Sequence, residues 1–180
     1  MNKISALIDF KARLKGGRYM FNDVMHIAFY TDKMDEMIDF YTNKLGCKMK
    51  TLTRYSVYLN RDDRKVFQDV AKKEPNKIFN TYIELAPNQF IEIFPKIDNQ
   101  KEHAQFNDSL GYSHFALTVD DIYKTREILE SRGVQFLTEI SKGPSGTYQM
   151  WTKDPDGNFF EIMQFTENSY QVIGHFDKEI

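Results

Sequence analysis

Apolar residues in this chain fall into short runs whose order occurs twice. A run with strand character covers Val24 to Tyr30, where β-branched and aromatic residues dominate. Met34, Met37, Ile38 and Tyr41 then recur at helical spacing, which predicts a helix over Lys33 to Lys44 with Asp32 as its cap. Gly46 is its expected left-handed terminator. Strands are expected near Cys47 to Arg54 and Tyr55 to Asn60, then a charged surface insertion over Arg61 to Lys77, with Val66, Phe67 and Val70 at helical spacing. Thr81 to Leu85 and Gln89 to Phe94 form a hairpin turned by Ala86-Pro87-Asn88. The second passage repeats the order. A strand is expected over Tyr112 to Val119 and a helix over Asp121 to Ser131, followed by strands near Val134 to Glu139, Thr147 to Thr152 and Asn158 to Gln164. Asp154-Pro155-Asp156-Gly157 turns the last hairpin.

The repeat is visible in single residues. His26 and His114 sit on the opening strands, and an Asp follows each after six residues, at Asp32 and Asp120. Gly46 and Gly133 close the two helices, and each copy finishes on a strand with one Glu, Glu92 or Glu161. Glu92 lies 66 residues after His26 and Glu161 lies 47 after His114, a difference close in size to the charged insertion. Module one is expected over 21–97 and module two over 111–165 of a domain spanning 21–165, joined by a polar segment from Lys96 to Leu110. Residues 1–20 place Ile4, Leu7, Ile8 and Leu14 loosely on one helical face and are expected to form a docking helix; 166–180 is a tail without clear pattern.

Alternation puts His26, Ala28 and Tyr30 on one strand face, and His114, Ala116 and Thr118 on its counterpart, so an alanine leaves room beside each imidazole. One histidine on an apolar strand is ordinarily a hydrogen-bonded core residue; two at equivalent places in a repeat change that balance. Glu92 has Phe90 and Phe94 as same-face neighbours, and Glu161 has Phe159 and Met163. A carboxylate so flanked either faces solvent or is buried and compensated by a cation. Two imidazoles and two carboxylates suit zinc, nickel, cobalt, manganese or iron.

Composition narrows the remaining classes. The chain has 180 residues, a formal net charge of −2 and no basic cluster, so no nucleic-acid partner is expected. It has no long apolar run and no secretory pattern, so no membrane partner is expected, and its single cysteine, Cys47, fits a cytoplasmic protein. With 15 Phe and 10 Tyr, a large core or an apolar pocket is expected. His103 and His175 lie in polar segments and are expected to be exposed, whereas Cys47 is expected to be buried and unreactive.

The stretches His26-Ile27-Ala28, Ile38-Asp39-Phe40-Tyr41 with Leu45-Gly46, Phe90-Ile91-Glu92-Ile93, Ser113-His114-Phe115-Ala116-Leu117 and Asp154 to Asn158 leading to Glu161 stand in an order that resembles the vicinal oxygen chelate superfamily, in its glyoxalase I-like branch. That resemblance implies an α+β fold of paired βαβββ modules. It implies a divalent metal (nickel, zinc, cobalt or manganese) held by His26, Glu92, His114 and Glu161, and a homodimer acting on a small-molecule substrate. It implies a lactoylglutathione lyase-like carbon–sulfur lyase or isomerase that transfers a proton on a 2-hydroxycarbonyl compound or hemithioacetal, with Glu161 or Glu92 as base. An epimerase of another metabolite and a non-catalytic, resistance-type binding protein are the alternatives. Arg54, Lys142 and Lys153 are candidates for holding a substrate carboxylate.

Overall fold

A computed structural model describes residues 23–104 and 106–177. The helical extension expected over 1–20 lies outside the described residues. The chain divides into two compact units, one over Asp23–His103 and one holding the described residues from Ala104 onward. Each contains one four-stranded mixed sheet and few helices, so the fold is α+β. Among the described residues no helix is long and apolar enough to cross a membrane.

The first unit runs β1 (His26–Thr31), α1 (Met34–Asp39), β2 (Lys48–Arg54), α2 (Lys65–Lys73), β3 (Ile78–Ala86) and β4 (Gln89–Pro95). The second runs β5 (Phe115–Thr118), α3 (Ile122–Ser131), β6 (Ser141–Lys142), β7 (Tyr148–Lys153), β8 (Phe159–Gln164) and a short α4 (Tyr170–Ile173). The sheet orders are β1-β4-β3-β2 and β5-β8-β7-β6. In both, the first strand runs parallel to the last and the others pair antiparallel, which gives two βαβββ modules.

Each sheet covers one face with a helix. In the first unit Ile83, Ile91 and Ile93 are fully buried, as are Met37 and Tyr41 on the helical segment after β1. In the second, Phe160, Met150 and Ile162 are buried together with Ile122 and Leu129 of α3. Burying each such side chain contributes about 1.5–3 kcal/mol, enough to fix strand register, because a one-residue slip would turn all of them to the other face. The helices end alike. Gly46 and Gly133 take left-handed φ values of 76° and 79°. Their starts differ. Asp121 Oδ1 accepts from the Lys124 amide at 3.0 Å, but Asp32 does not cap α1, where Thr31 Oγ1 accepts from the Lys33 amide instead. The helix then closes with a π-turn over Phe40–Lys44.

Two expected strands are absent. Tyr55–Tyr58 is a 3₁₀ turn. Its tyrosines pack edge-on against Phe79, with ring centroids 5.4 and 4.9 Å away, and this aromatic cluster overrides the local alternation. Between Val134 and Glu139 only Phe136 bridges to β7. Side-chain hydroxyls replace the ladder there, as Thr138 Oγ1 accepts from the Trp151 amide and Thr152 Oγ1 donates to the Gln135 carbonyl. The opening strand of module two is also shorter than expected, so His114 stands just before it. Within the insertion α2 turns Phe67, Gln68, Val70 and Ala71 inward while Val66 is 76% exposed. Gln68 fastens the segment by donating to the Leu59 carbonyl and to Asp62.

Candidate metal centre

The face of each sheet turned away from its helix carries the histidine and the glutamate. In module one Ala28 pairs with Glu92 and His26 with Phe90 on parallel strands, and Tyr82 stands opposite Glu92. In module two Ala116 pairs with Glu161 and Trp151 stands opposite Glu161. The two modules therefore share one register, with an alanine beside the carboxylate, a histidine two residues earlier and an aromatic ring across the ladder.

In module one His26 Nε2 lies 3.4 Å from Glu92 Oε2, with side-chain exposures of 38% and 8%. Glu92 Oε1 accepts from Asn80 Nδ2 at 2.6 Å. Tyr82 stands opposite Glu92; burial, with the carboxylate beside it as acceptor and charge, pushes its phenol up to about 12, so it stays neutral at ordinary pH. The Tyr82 ring meets the His26 imidazole edge-on at 5.7 Å. Further along the same face Phe94 stacks on Tyr30 and touches Phe79, which joins the aromatic cluster of the insertion.

In module two His114 Nε2 lies 3.7 Å from Glu161 Oε1, with exposures of 32% and 12%. The other imidazole nitrogen, Nδ1, is 3.1 Å from Ser113 Oγ, whose hydroxyl donates to Asn107 Oδ1 at 2.8 Å. Ser113 Oγ can then accept from Nδ1–H, which leaves the Nε2 lone pair toward Glu161. Trp151 packs 4.7 Å from the imidazole, and Phe106 stacks on Phe159 at 4.2 Å while touching both rings. The Asp154 carboxylate holds the turn before β8, accepting from the amides of Asp156 and Asn158 and from Asn158 Nδ2.

The structure brings His26 to Glu92 and His114 to Glu161, two donors in each module. Among the described residues no group of three or more His, Cys, Asp or Glu is gathered. Arg54 is turned to the Asn76 carbonyl and Lys142 lies over the Tyr148 ring. Lys153 lies over Phe159 and so borders the module-two pair. His103 and His175 are exposed. Cys47 is half-buried rather than buried, and that burial raises its thiol to about 11, which keeps it protonated. Asn80, Tyr82, Trp151 and Phe106 have roles that the sequence did not single out, and Ser113 stood out only as part of the stretch around His114. One signal was available, since Tyr82 and Trp151 each stand ten residues before a glutamate.

The Glyoxalase/Bleomycin resistance protein/Dioxygenase superfamily model matches residues 24–162. The chain belongs to this superfamily. It is 25% identical over 158 residues to a lactoylglutathione lyase of Pseudomonas aeruginosa, covering 83% of this chain and 85% of that protein. It is 27% identical over 143 residues to glyoxalase I of Saccharomyces cerevisiae, covering 74% of this chain but 42% of the yeast protein. It spans 35–43% of the length of the plant relatives it matches. A glyoxalase family protein from Enterococcus faecalis shares the fold with a TM-score of 0.59 at 21% identity, covering 81% of this chain and 99% of that one.

The residues of this superfamily member fit a divalent ion. Both His–Glu gaps exceed the roughly 2.7–3.2 Å usual for N–H···O hydrogen bonds. Glu92 is buried, and among the described residues its ion-pair partner is His26, with no lysine or arginine. Desolvating a carboxylate costs several kcal/mol, whereas hydrogen bonds to a charged group return about 1.5–3 kcal/mol each. The Asn80 amide narrows that gap, and a cation at the imidazole would close it. Imidazole nitrogen with carboxylate oxygen is a donor set for zinc, nickel, cobalt or manganese.

Proposed function

We propose that this protein is a metal-dependent lyase or isomerase of the glyoxalase I kind, with His26, Glu92, His114 and Glu161 as one ligand set. The observation that carries this reading is the repeated register: Ala28 beside Glu92 and Ala116 beside Glu161, each with an imidazole Nε2 within 3.7 Å of the carboxylate. The substrate class is a 2-hydroxycarbonyl compound or the hemithioacetal of a 2-oxoaldehyde, in keeping with the names of the lactoylglutathione lyases among its relatives. A bound divalent ion would supply charge stabilisation for the substrate's oxygens.

The chain's own groups divide the remaining work. Glu161, in contact with His114 alone among the described ion pairs, takes the proton from the carbon that bears hydroxyl and sulfur and returns it to the neighbouring carbon. The product is a 2-hydroxy thioester. Glu92 stays in place. The imidazoles present Nε2, and the Ser113 bond holds that orientation for His114. Because each module gathers two donors, the full set is proposed to form in a cytoplasmic homodimer, module one of one copy meeting module two of the other. Val24 and Met25, exposed before β1, are apolar surface of the kind a subunit interface covers.

The test is to supply methylglyoxal with glutathione to metal-loaded protein and follow thioester formation. Thioester formation supports the assignment. One observation favours a second reading: the Tyr30, Phe94 and Phe79 rings beside the His26–Glu92 pair are also suited to an apolar ligand held without chemistry. Tight binding with no turnover would support that reading.

A further inference from the structure

Asn80 is 7% exposed and sits on β3 two residues before Tyr82, so the pleat turns both toward the face that carries Glu92. Its Nδ2 lies 2.6 Å from Glu92 Oε1. The opposite orientation of the amide would bring two oxygens to that distance, so the chemistry of the carboxylate decides which end faces it. The remaining end, Asn80 Oδ1, is buried and finds no hydrogen-bond partner among the described residues. Among the described residues module two has no such anchor. The matching position, two residues before Trp151, is Gln149, and no hydrogen bond runs from it to Glu161 among the described residues.

We propose that Asn80 is a positioning residue that makes the two carboxylates unequal. It holds Glu92 as a stationary ligand and leaves Glu161 as the one that moves. This rests on the metal-site reading above and deepens it. A charge-assisted bond of this length fixes the rotamer of Glu92 before any ion arrives. Glu161 keeps the freedom to leave a ligand position and carry a proton.

The experiment titrates metal-free wild type, Asn80→Ala, Asn80→Leu and Gln149→Ala with cobalt(II) by calorimetry, and records unfolding of each metal-free chain. Asn80→Leu retains most of the side-chain volume, so at least one of the pair keeps the core filled. The expected result is cobalt affinity weakened about tenfold or more in both Asn80 variants and within twofold of wild type in Gln149→Ala, with every metal-free chain still unfolding in one cooperative transition. Cobalt bound by wild type and by both Asn80 variants with equal affinity would overturn the role of Asn80 while leaving the metal site intact. An equal loss in Gln149→Ala would also overturn it, by showing that the effect is not specific to the anchor. A wild type that binds no cobalt would overturn the metal-site reading itself, and this inference with it.

Discussion

Trp151 stands directly across the ladder from Glu161, the place that Tyr82 holds across from Glu92. Both rings also meet their module's imidazole edge-on, Tyr82 at 5.7 Å from His26 and Trp151 at 4.7 Å from His114. The difference lies beside the ring, where Asn80 donates to Glu92 and no such bond reaches Glu161 among the described residues. Module one therefore holds its carboxylate as well as its histidine.

That asymmetry separates the two glutamates in a kinetic experiment. Glu161→Gln is expected to keep its metal and lose a hundredfold or more in kcat, about the range of a general base. Glu92→Gln is expected to act first through weakened metal binding. Equal turnover of Glu161→Gln and wild type at saturating metal would reject Glu161 as the base.

Ser113 offers a milder test of the histidine. Ser113→Ala removes the oxygen 3.1 Å from His114 Nδ1, and metal affinity should fall about tenfold. The nitrogen NMR spectrum of the metal-free protein should show His114 losing its preference for the Nδ1–H tautomer. A spectrum unchanged by the substitution would show that the serine does not orient the ring.

A shared site has a signature in mixed oligomers. His26→Ala and His114→Ala chains, each inactive alone, should regain activity when their subunits exchange, because one half of the sites in a mixed dimer would be intact. Proven exchange without recovered activity, or a monomer by sedimentation, would reject sharing.

Cys47 gives the pH dependence. Its folded thiol is raised to about 11 by burial, above the usual cysteine range of about 8–9. The folded state therefore favours the protonated thiol. The associated stability is present in full below the unfolded value and is lost as pH rises through about 11. Iodoacetamide should modify native Cys47 slowly at pH 8 and unfolded chain quickly. Equal rates would show an open thiol.

The repeat, the two module helices and the strand positions of His26, Glu92 and Glu161 were legible in the sequence because each has a short-range signal, whereas His114 stands just before the strand expected to carry it. Gly46 and Gly133 end helices through their own backbone freedom, and His26 and Glu92 stand out against apolar neighbours. What escaped depends on contacts between distant segments. Asn80 looks like any polar strand residue until β4 brings Glu92 beside it, and Tyr55–Asn60 reads as a strand until Phe79 gathers its tyrosines. Phe106 and Asn107, in a segment that reads as polar linker, became part of the site only through Phe159 and Ser113.

The most direct measurement strips wild-type protein of metal and returns nickel, zinc, cobalt or manganese in measured equivalents while hemithioacetal turnover is followed. The expected course is an inactive metal-free protein whose activity rises with added ion and levels off at one ion per set of His26, Glu92, His114 and Glu161, with His114→Ala neither binding nor responding. Full turnover by the stripped protein, or a stripped protein that binds none of the four ions, would contradict the metal-dependent reading.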